Sequence, residues 1–172
     1  MNQHLFDQPD SSLSLCKYWL KKSEKGSIRY AHLRSRKAVI DDVQGRPDAA
    51  IDGFLAAIDI QTKRKDSVGL SFSYNNLGIC QFYMYRYDEA IANYRKSARI
   101  DSLMNDISGW SGTMVNIAII YSNQNRVDEA LFIYDNILGL LHEINDHSLD
   151  GNIDSNKAKL LVLSKEYRDA LK

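Results

Sequence analysis

Four segments of this chain come into register when displaced by 40 residues. "GRPDAAIDGF" begins at Gly45, "YRYDEAIANY" at Tyr85, "NRVDEALFIY" at Asn125 and "KEYRDALK" at Lys165. Ala50, Ala90, Ala130 and Ala170 share one column, and Ile51, Ile91, Leu131 and Leu171 the next. Phe54, Tyr94 and Tyr134 follow three residues later. Twelve residues before each alanine lies another small-residue column: Ala38, Gly78, Ala118 and Ala158. Asp66, Asp106 and Asp146 mark a second junction, with Gly69 and Gly109 at a fixed offset behind the first two. A fixed period of this size means that each unit cannot bury its apolar face alone and must stack on its neighbours.

Each unit carries two helical patterns. In the second unit, helix A is expected from about Ser67 to Tyr83 and helix B from about Tyr87 to Leu103. The break column (Gly45, Tyr85, Asn125, Lys165) contains Gly and Asn, which tolerate a left-handed helix end. Asp48, then Asp88 and Glu89, then Asp128 and Glu129 follow it, where acids favour the positive end of a helix dipole. Pro47 suits a first helical position. The expected architecture is all-α, a single domain of antiparallel helix pairs. It has an N-terminal capping helix at 10–24 and repeats at 28–62, 67–103 and 107–143, with an incomplete fourth at 147–172. The capping helix draws its apolar stripe from Leu13, Cys16, Trp19 and Leu20, with start signals at Pro9 to Ser12. The first unit is degenerate: Lys37 stands where others have Leu77 and Ile117, and Asp41 where Tyr121 sits. The fourth has only about two turns of helix B after Lys165, leaving Leu160, Leu161 and Leu163 poorly covered. The expectation is a longer parent protein, or a second chain packed on that end.

The small residue of helix A (Gly78), the alanine and aromatic of helix B (Ala90, Tyr94) and the "RYDEAI" and "RVDEAL" turns resemble the tetratricopeptide repeat family. The resemblance covers Ile28 to the end. The usual unit has roughly 34 residues. Six more would add about 9 Å of helix in total, under two turns. This resembles the long-helix subclass found in kinesin light chains, Leu-Gly-Asn adaptors and bacterial regulators and sensor kinases. HEAT and armadillo repeats approach this length but lack paired small-residue columns on both helices. The resemblance implies a right-handed superhelical solenoid, no enzymatic activity, no cofactor and a protein or peptide partner held in a concave groove lined by A helices.

Carried onto this sequence, the groove positions are His32, Ser35, Arg36 and Val39 in the first unit. The second offers Phe72, Asn75, Asn76, Ile79, Phe82 and Tyr83. The third offers Val115, Asn116, Ile119, Ser122 and Asn123, and the fourth Asn152, Ser155, Asn156 and Lys159. These positions also give a reading of "SYNNLGICQF" (73–82), which sets two asparagines and a glycine inside a helical pattern. Gly78 belongs to the small-residue column. Asn76 aligns with Arg36, Asn116 and Asn156, a ladder of carboxamides that either bonds a peptide backbone or holds neighbouring repeats together. Asn75 has no counterpart in its column. The basic cluster by which chaperone-binding relatives clamp a terminal carboxylate is missing, since Gly112 and Asn116 stand in its places. The alternative function is self-association, a homodimer formed through the C-terminal helix.

Composition narrows the remaining classes. Twenty-two basic and 22 acidic residues balance over 172 positions, with 44% hydrophobic residues, as a folded chain requires. Zero net charge argues against nucleic acid as a partner. The runs "KKSEK" and "KRK" fall near the ends of B helices, where cations offset the dipole. No apolar run approaches the roughly 20 residues of a membrane span. "MNQHLFDQPDSS" is no signal peptide, so the expected location is cytoplasmic, or periplasmic if a leader preceded this sequence in a parent. Cys16 and Cys80 read as buried thiols. No nucleotide-binding or nucleophile-elbow motif is present. His142 and His147 in "HEINDH" are five apart, about 140° around a helix, unlike the four of a zinc motif. "DHSLDGNIDSNK" mimics a calcium loop but ends on Lys157 in place of the bidentate Glu. No metal site is expected, and His4 and His32 show no partner.

Overall fold

The computed structural model describes residues 9–170, and among them there are eight α-helices and no strand. The helices are α1 (Pro9–Lys22), α2 (Ile28–Val43), α3 (Pro47–Arg64), α4 (Ser67–Tyr83), α5 (Tyr87–Leu103), α6 (Ile107–Asn123), α7 (Val127–Glu143) and α8 (Asp150–Ala170). They fall into two compact units divided between Met104 and Asn105.

The turns explain the period. Positive φ recurs every 20 residues, at Gly45, Lys65 and Tyr85 in the first unit and at Asn105, Asn125 and Asn145 in the second. One left-handed residue turns the chain back, and the next amide closes the helix end. Arg46 N donates to Asp41 O at 2.9 Å, Arg86 N to Gln81 O at 2.9 Å and Arg126 N to Tyr121 O at 2.8 Å. Only one of these six positions is glycine, so Lys65 and Tyr85 hold a conformation that costs an ordinary side chain about 1–2 kcal/mol. The A helices open on an acceptor. Gly69 N donates to Asp66 Oδ1 at 3.0 Å and Gly109 N to Asp106 Oδ1 at 2.9 Å. A Cβ on Gly69 would sit 2.2 Å from Asp66 Oδ2, which accounts for the paired Asp and Gly columns. The B helices α5 and α7 open at Arg86 and Arg126, each paired with an acid of the first turn, Glu89 or Glu129.

In the first unit, α2 packs on α1, α3 and α4, and α4 packs on α3 and α5. Ala38, Ala50, Phe54, Ile58, Leu77 and Cys80 form a buried cluster, edged by Val39, Ile51, Leu70, Tyr74 and Met84. The small column is a contact surface: a Cβ on Gly78 would lie 2.7 Å from two ring carbons of the buried Tyr94. The two departures in the first repeat compensate each other. Lys37 Nζ reaches Asp41 at 2.6 Å, and Arg46 reaches the other oxygen at 2.6 Å. Burial alone would raise the Asp41 pKa, but the bonds from Lys37 and Arg46 outweigh it and hold the carboxyl below its usual value. The α4–α5 interior is also polar. Ser71 and Ser97 bond each other at 3.0 Å and both reach the buried Asp101 carboxylate. Asn93 Nδ2 donates to Gln81 Oε1 at 2.7 Å.

The second unit replaces this interior with an apolar one. Ile133, Ile137 and Leu141 stand in the columns of Asn93, Ser97 and Asp101, and all are buried. Ser111, in the column of Ser71, is left with a buried hydroxyl that has no hydrogen-bond partner. Helix α8 corrects one expectation: no turn forms at Lys165, and the helix runs unbroken to Ala170. Lys165 and Glu166 are good helix formers where the other repeats place Gly, Tyr or Asn. Leu160 is buried and not uncovered as expected, Leu161 is 47% exposed, and the side chain of Leu163 lies outside what is described. The calcium-loop mimic does not form a loop, because Asp150 to Lys157 are already helical and Lys157 bonds Asp135 at 2.6 Å.

Two outcomes follow from this packing. Gly78→Ala gains about 1 kcal/mol of helix propensity but forces a methyl into the Tyr94 ring, so it should lower stability by about 1–3 kcal/mol in urea unfolding. Asp41 carries a depressed pKa, so its contribution is present above about pH 4 and is lost as pH falls through its folded value. Thermal melts from pH 7 to pH 2 should therefore show Asp41→Asn less stable at neutrality, with the gap closing in acid.

Candidate functional site

A cleft of about 160 Å³ opens in the first unit, lined by His32, Ser35, Arg36, Gln61, Val68, Gly69 and Phe72. It lies between the A helices α2 and α4, with Gln61 of α3 beneath. The floor is a closed set of buried polar groups. Ser35 Oγ and Ser73 Oγ are 2.7 Å apart, Ser73 Oγ donates to Gln61 Oε1 at 2.9 Å, and Gln61 Nε2 reaches Ser35 Oγ at 3.5 Å. Gly69 lets the wall approach, since a Cβ there would meet Gln61 Nε2 at 2.7 Å.

The rim is exposed and mixed in chemistry. His32 Nε2 meets Asp66 Oδ2 at 2.6 Å, so the carboxylate that caps α4 also fixes the imidazole. Beside it stand the Arg36 guanidinium, Val68 and the Phe72 ring, which is 44% exposed. A shallower depression of about 380 Å³ along α2 shares His32 and Arg36 and adds Ile28, Arg29 and Leu33. Such a surface suits a ligand that offers a carboxylate next to an apolar group. It does not assemble a serine nucleophile: the Ser35 hydroxyl is engaged with Ser73, Gln61 and the Ala31 carbonyl, and His32 with Asp66. Burial, then the bond with Asp42, pushes the Cys80 thiol up to about 12, and burial also raises Cys16. Neither sulfur is a thiolate at neutral pH.

The remaining expected positions of the first unit continue along α4. Asn75, Asn76, Ile79 and Phe82 are half-buried, and Tyr83 is 71% exposed. Asn76 Nδ2 donates to Phe72 O at 2.8 Å, one turn back on its own helix. Phe82 packs edge-on to Tyr83 at 5.3 Å and lies 5.9 Å from Tyr87. Ser35, expected in the groove, is instead 1% exposed and serves as floor. In the second unit, Val115, Asn116, Ile119, Ser122 and Asn156 are half-buried, while Asn123, Asn152, Ser155 and Lys159 are exposed. Ser122 Oγ donates to Ala118 O at 2.8 Å. Gln61, Val68, Ser73 and the His32–Asp66 pair were not expected at a site. Asp66 alone was visible as a column, and no local signal ties it to a histidine 34 residues away. His4 lies outside the described residues.

Residues 30–102 match the family model described as tetratricopeptide repeat. No curated protein matches the chain in sequence. Among the solved structures that share the fold are two of a Podospora anserina protein taken to be a kinesin light chain, with nearly identical TPR-like repeats. The form of that protein carrying a point substitution superposes with a TM-score of 0.78 at 13% identity, covering 99% of this chain and 85% of that one. The unsubstituted form gives 0.77 at 13% identity, covering 99% and 86%.

The floor should behave as one unit. Gln61→Leu leaves two buried hydroxyls short of a partner and should cost about 1–3 kcal/mol, whereas adding Ser35→Ala and Ser73→Ala should recover part of that loss. A thermodynamic cycle from urea unfolding would read the coupling directly.

Proposed function

We infer that this chain, whose residues 30–102 belong to the tetratricopeptide repeat family, is a non-enzymatic scaffold that holds a peptide or protein segment against its A helices. Repeats of this family mediate protein–protein interaction. The observation that carries the reading for this chain is the α2–α4 cleft, where Phe72 and Val68 are exposed beside Arg36 and His32 over a rigid polar floor. The ligand this favours is an extended segment with an acidic side chain or terminus next to a bulky apolar one. Arg36 supplies charge, Phe72 supplies the apolar contact, and Asn75 and Asn76 supply backbone-directed hydrogen bonds along α4. Ile79, Phe82 and Tyr83 extend the same face. Asn116, Ile119, Asn123, Asn152, Asn156 and Lys159 are the corresponding positions of the second unit. By analogy with the family, we read the module as part of a larger signalling or regulatory protein.

A second reading is self-association through α8, favoured by the exposed Leu161 and Val162. Light scattering across a concentration series distinguishes it: a dimer abolished by Leu161→Lys supports it, and a monomer throughout removes it.

The principal reading is tested by selecting binders from a random peptide library and measuring them by fluorescence anisotropy. Arg36→Ala and Phe72→Ala should each weaken binding by about tenfold, with melting temperature little changed because both side chains reach solvent. Asn76→Ala should weaken binding without loss of stability. Binders indifferent to all three substitutions, or a collapse of stability on Asn76→Ala, would remove these residues from the site.

A further inference from the structure

We propose that His142, His147 and Asp150 form a binding site for a divalent ion of the zinc class. The three lie in the second unit and come from three consecutive pieces of chain. His142 is in the last turn of α7, His147 is in the loop, and Asp150 is the first residue of α8. Five residues apart on one helix, the two histidines would diverge. They do not share a helix, because Asn145 turns the chain at φ 57° between them. His142 Nε2 lies 3.0 Å from Asp150 Oδ1 and His147 Nδ1 lies 2.8 Å from Asp150 Oδ2. The ring centroids are 4.9 Å apart, and the ligand atoms of all three residues lie within 4.8 Å of one another.

The site arises where the repeat departs from its own pattern. Helices α4 and α6 begin directly after their capping aspartates, at Ser67 and Ile107, but α8 begins only at Asp150. The three residues left out of the helix, 147–149, bring His147 back beside the end of α7. In the columns of His142, His147 and Asp150 the preceding repeat junction has Ser102, Ile107 and Trp110, and the one before it has Thr62, Ser67 and Leu70. None of these six is an imidazole or a carboxylate. The convergence is therefore peculiar to this junction and is not a property of the repeat.

The donor set fits the ion. Two imidazole nitrogens and one carboxylate oxygen suit zinc, cobalt or nickel, whereas calcium and magnesium demand oxygen ligands throughout. Bonds of about 2.0–2.2 Å to a tetrahedral ion place neighbouring ligand atoms about 3.3 Å apart. Each histidine nitrogen is already about this close to Asp150, though to a different oxygen, and rotation of the two exposed imidazoles brings both nitrogens around one of them. Both ligating nitrogens now face an Asp150 oxygen. In the metal complex each neutral imidazole carries its N–H on the other ring nitrogen and gives the ion the lone pair of the ligating one. Water fills the remaining position. The bound ion would clip the end of α7 to the start of α8 and hold the loop between them.

Isothermal titration of the full chain with zinc chloride tests this. One saturable site is expected, with Kd on the order of micromolar or tighter and a rise in melting temperature. His142→Ala, His147→Ala and Asp150→Ala should each weaken binding at least roughly tenfold. His32→Ala, which breaks the other histidine–aspartate pair, should leave the isotherm unchanged, and calcium chloride should give no binding. Cobalt should bind at the same site and show visible d–d bands of a nitrogen and oxygen ligand field. No saturable zinc binding, or binding that survives any two of the three substitutions, overturns the site. Retention of fold in each variant is checked by circular dichroism, since His142 and His147 are exposed and Asp150 is half-buried.

Discussion

Everything in this fold depends on how closely an A helix can approach its B helix. Gly78 lies against the face of Tyr94 with no room for a methyl group. In the first repeat Ala38 and Gly53 serve the same end, since a Cβ on Gly53 would come within 2.8 Å of the Ala38 Cβ. The aromatic ring fills the space between two backbones, and the small residue determines their separation. Short turns become possible only because the helices are already that close. A left-handed residue every 20 positions then suffices to reverse the chain. The period of the sequence is the length of one helix and one turn, doubled.

The cleft inherits its character from the same packing. Gln61, Ser35 and Ser73 bond one another and belong to the buried interior as much as to the floor. The rim residues His32, Arg36, Val68 and Phe72 are anchored at their backbones on α2 and α4, and their side chains reach solvent. A fixed floor under an adaptable rim lets a ligand choose among side-chain conformers without disturbing the helices. Asp66 connects the two layers, because one oxygen caps α4 and the other holds His32.

What could be read from the sequence was local or periodic. Gly78 was legible because its column admits only small residues, and the Asp66 and Asp106 caps because Gly69 and Gly109 repeat behind them. The expected limits of α4 and α5 follow from a turn residue and an acidic first turn, and both are observed. Three features were hidden for physical reasons. Ser35 sits on the groove column, yet its short side chain turns inward to partners on α3 and α4, a tertiary choice that no spacing records. Lys165 occupies a turn column, but with helix-forming neighbours and no Gly or Asn the helix continues past it. Lys37 and Asp41 read as decay of the repeat, although each is the reason the other is tolerated.

The unlike interiors of the repeats bear on how such a chain finds its register. Helices of equal length and similar outline can pair in several wrong combinations during folding. The α4–α5 pair matches Ser71 to Ser97 and Asp101, while α7 offers Ile133, Ile137 and Leu141 at the matching places. If α5 met α2, Ala31 would stand in the column of Ser71 and the Asp101 carboxylate would lose that serine inside a buried core, at a cost of about 1–3 kcal/mol. Ser111 already shows the mild form of such a mismatch, a buried hydroxyl without a hydrogen-bond partner in a unit where Ile137 stands in the column of Ser97. The polar core of the second repeat thus acts as an address. It lets repeats of one period be made in tandem on one chain while α4 and α5 still find each other.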